Sequence, residues 1–415
     1  MRKESRQDQP LSDDRAPLLY CDLTQSWSEQ GGGVRTYLLH KRQYILEHTP
    51  HRHLLIIPGA KDDVVEEGRA ITVTIASRHV PGSPNYRLLL RNGAVRRALE
   101  RFRPDLIECQ DVYNLPWAAL AHQRRYPQTA VTAVFMTDFP TVYVERPFAK
   151  VIGRTLARQC AKLCYAYCGR LYRRLDRVFA LGEHGGAAKL RALGVERIEV
   201  IGLGVDTQEF GPQRRDPALR AQLGLSDDQP LLIYVGRLDR EKKPDVVVDA
   251  FRRLPGELGA KLVLIGDGPL RTDIAELGDT RIHMLGFVTD RADLARWLAS
   301  ADLYASGMAD ETFGISIIEA QASGLPVVGV AAGAMIDRVP PSLGRLGPVG
   351  DSAAMARNIR DVLSDDRTAL ADRAVAAAST YEWDRVLGTL FGSFYHQALE
   401  RRVRVLAPKA AAVAA

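Results

Sequence analysis

The chain runs twice through the same alternation of short apolar strands and helical stretches, and this repetition bounds its fold more tightly than any single motif. In the first run, residues 18–23, 53–58, 71–75, 104–108, 130–136, 177–181 and 198–201 read as strands, with helical spacing over 34–48 and 94–102. Residues 214–230 are polar, with Pro and Asp, and read as a domain linker followed by a short helix. The pattern then restarts, with strands predicted at 231–235, 261–265, 282–285, 303–305 and 327–330 and helices at 245–254, 291–299 and 314–322. Strands separated by helices imply an α/β fold, a parallel sheet covered on both faces. Two doubly wound, Rossmann-like units in tandem, the first without a G-x-G-x-x-G fingerprint, imply a ligand cleft between domains. The predicted division is a disordered arm over 1–17, a first domain over 18–210 and a second over 211–384. A closing helix at 385–402 and a flexible tail at 403–415 complete it.

Length and composition agree. The 415 residues suffice for two domains of ordinary size, and 46% apolar with 26% charged residues is the balance of a soluble globular protein. No apolar run approaches the roughly 18 residues of a membrane span. The first seventeen residues carry no apolar h-region, so a cytoplasmic location is expected. Five cysteines, an odd number, argue against a disulfide framework. Cys160, Cys164 and Cys168 share a helical stripe, but their gaps match no common zinc or cluster spacing. The stripe continues through Leu156, Leu163, Tyr167, Leu171 and Leu175, which predicts a buried helix face.

Much of the net charge of +6 falls between Lys150 and Arg177, where Lys150, Arg154, Arg158, Lys162, Arg170, Arg173, Arg174 and Arg177 meet one acid, Asp176. Such a segment either lies against an anionic membrane surface, giving a peripheral location at the inner membrane, or is a solvated helix face. No nucleic-acid-binding motif accompanies it, so nucleic acid is not an expected partner.

The chemistry concentrates between Glu311 and Glu319. A helix starting near Phe313 would put the first carboxylate in the loop before it and the second about two turns on, on the inward side. Its N-terminus would offer free N–H groups and a positive dipole end to an anion. A sugar joined through a diphosphate to a ribose presents the matching pattern. Arg237 and Lys242 stand where the strand 231–235 ends and a helix is about to begin, putting two cations at the carboxyl end of a strand. Gly31, Gly32 and Gly33 follow the first strand and would let backbone N–H groups approach a phosphate.

The stretch Glu-Thr-Phe-Gly-Ile-Ser-Ile-Ile-Glu, followed by Ser323-Gly-Leu-Pro326, resembles the donor-binding signature of the retaining, family 4 type glycosyltransferases. The resemblance covers about 18–400 and implies the two-domain GT-B fold with the closing helix crossing back onto the first domain. It implies catalytic roles for Glu311, Arg237 and Lys242: the Glu on the donor sugar, the two cations on the diphosphate. It also implies donor contacts from Gly32, Gly33, Phe287, Val288, Phe313, Gly314, Ile315 and Glu319, the last on the ribose. Gly202-Leu-Gly204-Val205-Asp206 resembles the interdomain signature, with Leu203 where the family has Asn. Thr137-Asp-Phe-Pro140, together with Ile57-Pro-Gly59 and the segment 81–86, resembles the subset containing α-mannosyltransferases and sulfoquinovosyl or glucuronosyl lipid transferases. There Asp138 either holds a sugar or acceptor hydroxyl or caps a turn.

The expected activity is transfer of a sugar from a UDP-, GDP- or ADP-linked donor to a hydroxyl acceptor of lipid or glycan type. Neither a metal nor a resident cofactor is expected, the first because no Asp-x-Asp-like cluster is placed against the diphosphate. A nucleotide-sugar epimerase or hydrolase of the same fold is the alternative.

Overall fold

The computed structural model describes residues 16–28, 32–80 and 83–414. Two sheets carry the fold. The first joins β1 (Leu19–Leu23), β2 (Arg52–Gly59), β3 (Asp63–Glu67), β4 (Ala70–Ala76), β7 (Leu106–Cys109), β8 (Ala130–Phe135), β9 (Arg177–Ala180) and β10 (Ile198–Val200) in the order β10-β9-β8-β7-β1-β2-β4-β3. A hairpin of β5 (Arg78–Val80) and β6 (Ser83–Leu88) stands apart. The second sheet joins β11 (Leu231–Val235), β12 (Lys261–Ile265), β13 (Ile282–Gly286), β14 (Leu303–Ala305), β15 (Val327–Val330) and β16 (Gly344–Gly347) in the order β13-β12-β11-β14-β15-β16. Every pairing within the two sheets is parallel except β3 with β4. β1 and β8 are buried from end to end, as strands covered on both faces must be, which is why they read as apolar runs interrupted only by Asp22 and Thr132.

The strand order reverses between β1 and β7 and between β11 and β14. Crevices at such switch points open at the carboxyl ends of the strands, where ligands of doubly wound sheets bind. The two domains meet through a strut. Arg338, buried, donates to the Leu181 carbonyl, to the Phe313 carbonyl at 3.3 Å and to the Tyr381 hydroxyl at 2.8 Å. Its guanidinium lies over the rings of Phe313 and Tyr381. The interdomain glycines are set by the same packing, because a Cβ on Gly204 would fall 2.0 Å from the Trp383 ring.

The closing helix crosses back onto the first domain. From Trp383 the chain stays helical through a π-helical turn at Leu390–Tyr395 and on to Ala414. The flexible tail expected at 403–415 is therefore helical backbone up to Ala414. Tyr395 anchors the crossing, donating at 2.7 Å to Glu108 inside a buried network. There Lys41 bridges Asp22 at 2.7 Å and Glu108 at 2.8 Å. Arg42 donates to His53 Nδ1, so His53 Nε2 carries the proton and donates a hydrogen bond to Asp22 at 2.8 Å. That is a neutral imidazole, and burial holds its pKa down.

One expectation falls outside the described residues and two others change. The arm predicted over 1–17 lies, but for its last two residues, outside the described residues. Leu171, Leu175 and Cys168 are buried as predicted, but Leu156 and Leu163 are 54% and 73% exposed, because only the opposite face of that half of the helix, through Ala157 and Ala161, is covered. The sequence reading also passed over β3, the β5–β6 hairpin, the helix Leu115–Arg125 and the elements from Ala334 to Ala378. No helix among the described residues is long and apolar enough to cross a membrane.

Candidate active site in the interdomain cleft

The cleft encloses a cavity of ≈ 750 Å³ lined from both domains. Its floor on the second domain is the helix Ile315–Ala322. Four other helices of that domain start on aspartates, Asp216, Asp290, Asp351 and Asp366, whose carboxylates accept from the first-turn N–H groups. This one starts on Gly314, which brings no cap. Gly314 sits at φ +82°, and a Cβ there would lie 2.5 Å from Ile317 Cδ1, so only glycine fits. The N–H groups of Ile317 and Ile318 return to the Gly314 carbonyl. Those of Ile315 and Ser316 are left for an anion.

Opposite stands the glycine loop. Gly31 lies outside the described residues, but Gly32 and Gly33 line the cavity, and a Cβ on Gly33 would stand 3.7 Å from Ile315 Cδ1. Beside it, Gln25 and Ser26 are fastened by Asp111. That carboxylate accepts from Thr24 Oγ1, from the Gln25 N–H at 2.6 Å and from the Ser26 hydroxyl. Burial pushes its pKa up against those bonds.

Glu311 reaches Lys242 at 3.0 Å, both side chains part-exposed in the cavity wall. The Glu311 loop is pinned to the first domain by Thr312 Oγ1, which donates to the Met136 carbonyl at 2.9 Å. Asp239 shapes the other side: its Oδ1 accepts the N–H groups of Glu241 and Lys242, and its Oδ2 pairs with Arg237 at 2.5 Å. Phe313 and Ile315 also line the cavity.

The remaining predicted residues stand elsewhere. Arg237 is 62% exposed and paired with Asp239 and Glu241, at the rim rather than in the wall. Glu319 is buried on the inner side of its helix, 2.9 Å from Arg291, which also holds Glu209 at 2.9 Å and lies over the Phe210 ring. Burial raises the Glu319 pKa, and Arg291 works against that rise. Phe287 is 73% exposed, and neither it nor Val288 lines the cavity. Asp138 is buried under Tyr165, at 2.6 Å, and Lys189, at 2.6 Å, so its carboxylate is occupied by this pairing and does not line the cavity.

Sequence reasoning missed Tyr86, Tyr143 and Ser316, which line the cavity, and Asp239 and Arg291, which set its charged groups. Asp239 sits inside the Arg237–Lys242 motif and was open to reading as an Asx turn. Arg291 gave no signal, since its pairing with Glu319 exists only in the fold.

Residues 31–209 match the family described as Glycosyltransferase Family 4, and residues 215–380 match Glycosyl transferases group 1. A GDP-mannose-dependent alpha-mannosyltransferase of Mycobacterium tuberculosis (strain CDC 1551 / Oshkosh) is 30% identical, covering 79% of this chain and 83% of its own. The chain belongs to the family 4 type glycosyltransferases. Another relative, the GDP-mannose-dependent alpha-(1-6)-phosphatidylinositol dimannoside mannosyltransferase of Mycobacterium tuberculosis (strain ATCC 25177 / H37Ra), is 28% identical over 85% of this chain and 90% of its own. Among solved structures, sucrose-phosphate synthase from Thermosynechococcus elongatus superposes with a TM-score of 0.72 at 19% identity, covering 93% of this chain and 100% of that one. The glycosyltransferase therefore has the GT-B fold, two Rossmann-like domains across a cleft, and its donor is a nucleotide sugar.

Proposed function

We propose that this glycosyltransferase moves a hexose, with retention and without a metal, from a nucleoside diphosphate to a hydroxyl of a lipid or glycan intermediate presented at the cytoplasmic membrane surface. The observation that carries the reading is the Lys242–Glu311 pair, 3.0 Å apart beside an uncapped helix N-terminus with a glycine loop opposite. Each is the other's counter-ion until the donor arrives. The diphosphate then takes Lys242 and the free N–H groups of Ile315 and Ser316, and the sugar hydroxyls take Glu311. Arg237 swings from the rim onto the diphosphate, and Glu319 accepts from the ribose.

Among the described residues lining the cavity, Glu311 is the one carboxylate. A double-displacement glycosidase needs two, one as nucleophile and one as acid. The single carboxylate suits front-face transfer, in which the acceptor hydroxyl attacks from the side on which the diphosphate leaves. The leaving oxygen takes the acceptor's proton, Lys242 and Arg237 meet its growing charge, and Glu311 faces the cationic sugar ring. Relatives named for GDP-mannose make it the first donor to test.

The test is a thermal-shift panel of UDP, GDP, ADP and their hexose conjugates. At a hundredfold excess over Kd the true donor adds about 2.7 kcal/mol and raises Tm by several degrees. Product formed from an α-linked donor should be α-linked by NMR. No shift with any nucleotide would overturn the reading, and a β-linked product would overturn retention.

A further inference from the structure

The helices Arg146–Ile152 and Arg154–Tyr172 pack against one another, joined by a sharp bend at Gly153, where φ is +80°. The first buries none of its side chains. It exposes Phe148, Val151 and Ile152 at 45%, 83% and 38%. The second buries Ala157, Ala161 and Cys168 on one side and turns Leu156 and Leu163 out on the other. At about 100° per residue, Leu156, Leu163 and Arg170 fall within ~40° of one another on the solvent face. Five exposed large apolar side chains on one helical pair exceed the scatter of single ones on an ordinary surface and mark an interaction face.

Cations surround them. Among the described residues Lys150, Arg154, Lys162 and Arg170 make no ion pair or hydrogen bond and are exposed. The other basic residues of the segment are engaged, Arg158 with Glu145, Arg173 with the Leu193 carbonyl, Arg174 over the Trp117 ring and Arg177 with Glu199. Free lysines and arginines interleaved with exposed aliphatic groups suit an anionic, partly apolar surface. Protein interfaces, by contrast, are depleted in Lys. The pair also adjoins the cleft. Tyr143, in the turn leading into the first helix, lines the active-site cavity, as do Leu88 and Leu90, and all three are exposed at its mouth.

We propose that this helical pair is the docking surface for an anionic lipid bilayer. Its aliphatic side chains enter the interface, its four free cations meet the headgroups, and the apolar mouth of the cleft opens beside it to receive a membrane-held acceptor. The acceptor's entry rests on the proposed function, but the docking stands on the surface alone.

The test uses the full chain and vesicles of phosphatidylcholine with or without phosphatidylglycerol. Wild-type protein should sediment only with the anionic vesicles, and salt should weaken the binding without abolishing it. The exposed triple variant Val151→Ser, Leu156→Ser, Leu163→Ser should bind at least tenfold more weakly. The variant with Lys150, Arg154, Lys162 and Arg170 each changed to Glu should not bind at all. Both should keep the wild-type melting temperature and nucleotide-induced shift, which separates failure of docking from failure of the transferase reading. Indifference of the wild type to anionic vesicles at low salt overturns the proposal. So does sedimentation that survives both variants, or a dimer in solution that the triple variant dissolves.

Discussion

Replacing Arg291 with Met tests the charge logic of the donor site at a residue outside the cavity. Glu319 is 5% exposed, and among the described residues Arg291 is the one cation paired with it, at 2.9 Å. Breaking a fully buried pair costs about 3–5 kcal/mol, but the Arg291 side chain is 49% exposed, so about 2 kcal/mol is the reasonable figure. Loss of its second partner, Glu209, adds little, since that carboxylate is 28% exposed. The cost depends on pH with a definite sign. Burial already holds the folded-state pKa of Glu319 above its unfolded value. Its favourable contribution is thus complete below the unfolded pKa and lost as pH rises through the folded one. Removing Arg291 raises the folded pKa further, so variant and wild type should converge at pH low enough to protonate Glu319 in both, and separate towards the full ~2 kcal/mol as pH rises through the folded pKa values. Thermal melts across that range measure the gap. Nucleotide affinity follows the opposite course: the variant's protonated Glu319 accepts poorly from a ribose, so binding weakens most at low pH and recovers as pH rises. A melting difference independent of pH, or affinity that falls as pH rises, would refute the pairing as the control on Glu319.

Three further outcomes are expected. Glu311→Gln should keep the fold and nucleotide binding but lower turnover at least a hundredfold, on the order of 3 kcal/mol of transition-state stabilisation; near-normal turnover in the purified variant removes Glu311 from catalysis. Activity should survive excess chelator if Lys242 and Arg237 meet the diphosphate charge as proposed, and loss with EDTA restored by Mg²⁺ or Mn²⁺ would show otherwise. Lys243 sits at φ +51° immediately before Pro244, a left-handed position costing a side chain ~1–2 kcal/mol. Lys243→Gly should therefore raise stability by about 0.5–1 kcal/mol after the extra unfolded-state freedom of glycine is counted, and a lowered Tm would mean that the lysine makes a contact worth more than the strain.

What the sequence disclosed follows from what each element must satisfy. β1, β8 and β11 are covered on two faces, so they are apolar but for Asp22 and Thr132, and they stood out. β3 is exposed at all five residues and pairs antiparallel at the sheet edge, so nothing in its composition demanded a strand. Periodicity showed correctly that Leu156, Leu163 and Leu171 lie on related faces of a helix, but a period does not say what covers a face. Leu171 found a core and Leu156 did not. The Glu311–Glu319 motif was legible because it is contiguous in the chain, with Gly314 at a positive φ between the two carboxylates. The partners that hold those carboxylates, Lys242 from 69 residues away and Arg291 from 28, come together only when the sheets do.

The placement of the charges divides the molecule into a rigid end and a working one. At the closed end, Lys41, Asp22, Glu108 and Tyr395 satisfy one another out of water, and Trp383 stacks on His40 with ring centroids 4.3 Å apart. A buried network of that kind is costly to open, because any one group removed leaves its partners unpaired. It fixes the closing helix, and with it the second domain's last segment, to the first domain. In the cleft the charges are only part-buried: Lys242–Glu311 at its wall, Arg237–Glu241 at its rim, and Arg146 reaching from the first domain to Asp310 and Glu241 of the second. Pairs half in water contribute little each and exchange readily. On the proposed reading, a donor diphosphate, carrying more charge than any carboxylate it displaces, would re-sort these cleft pairs without disturbing the buried network that ties the closing helix to the first domain.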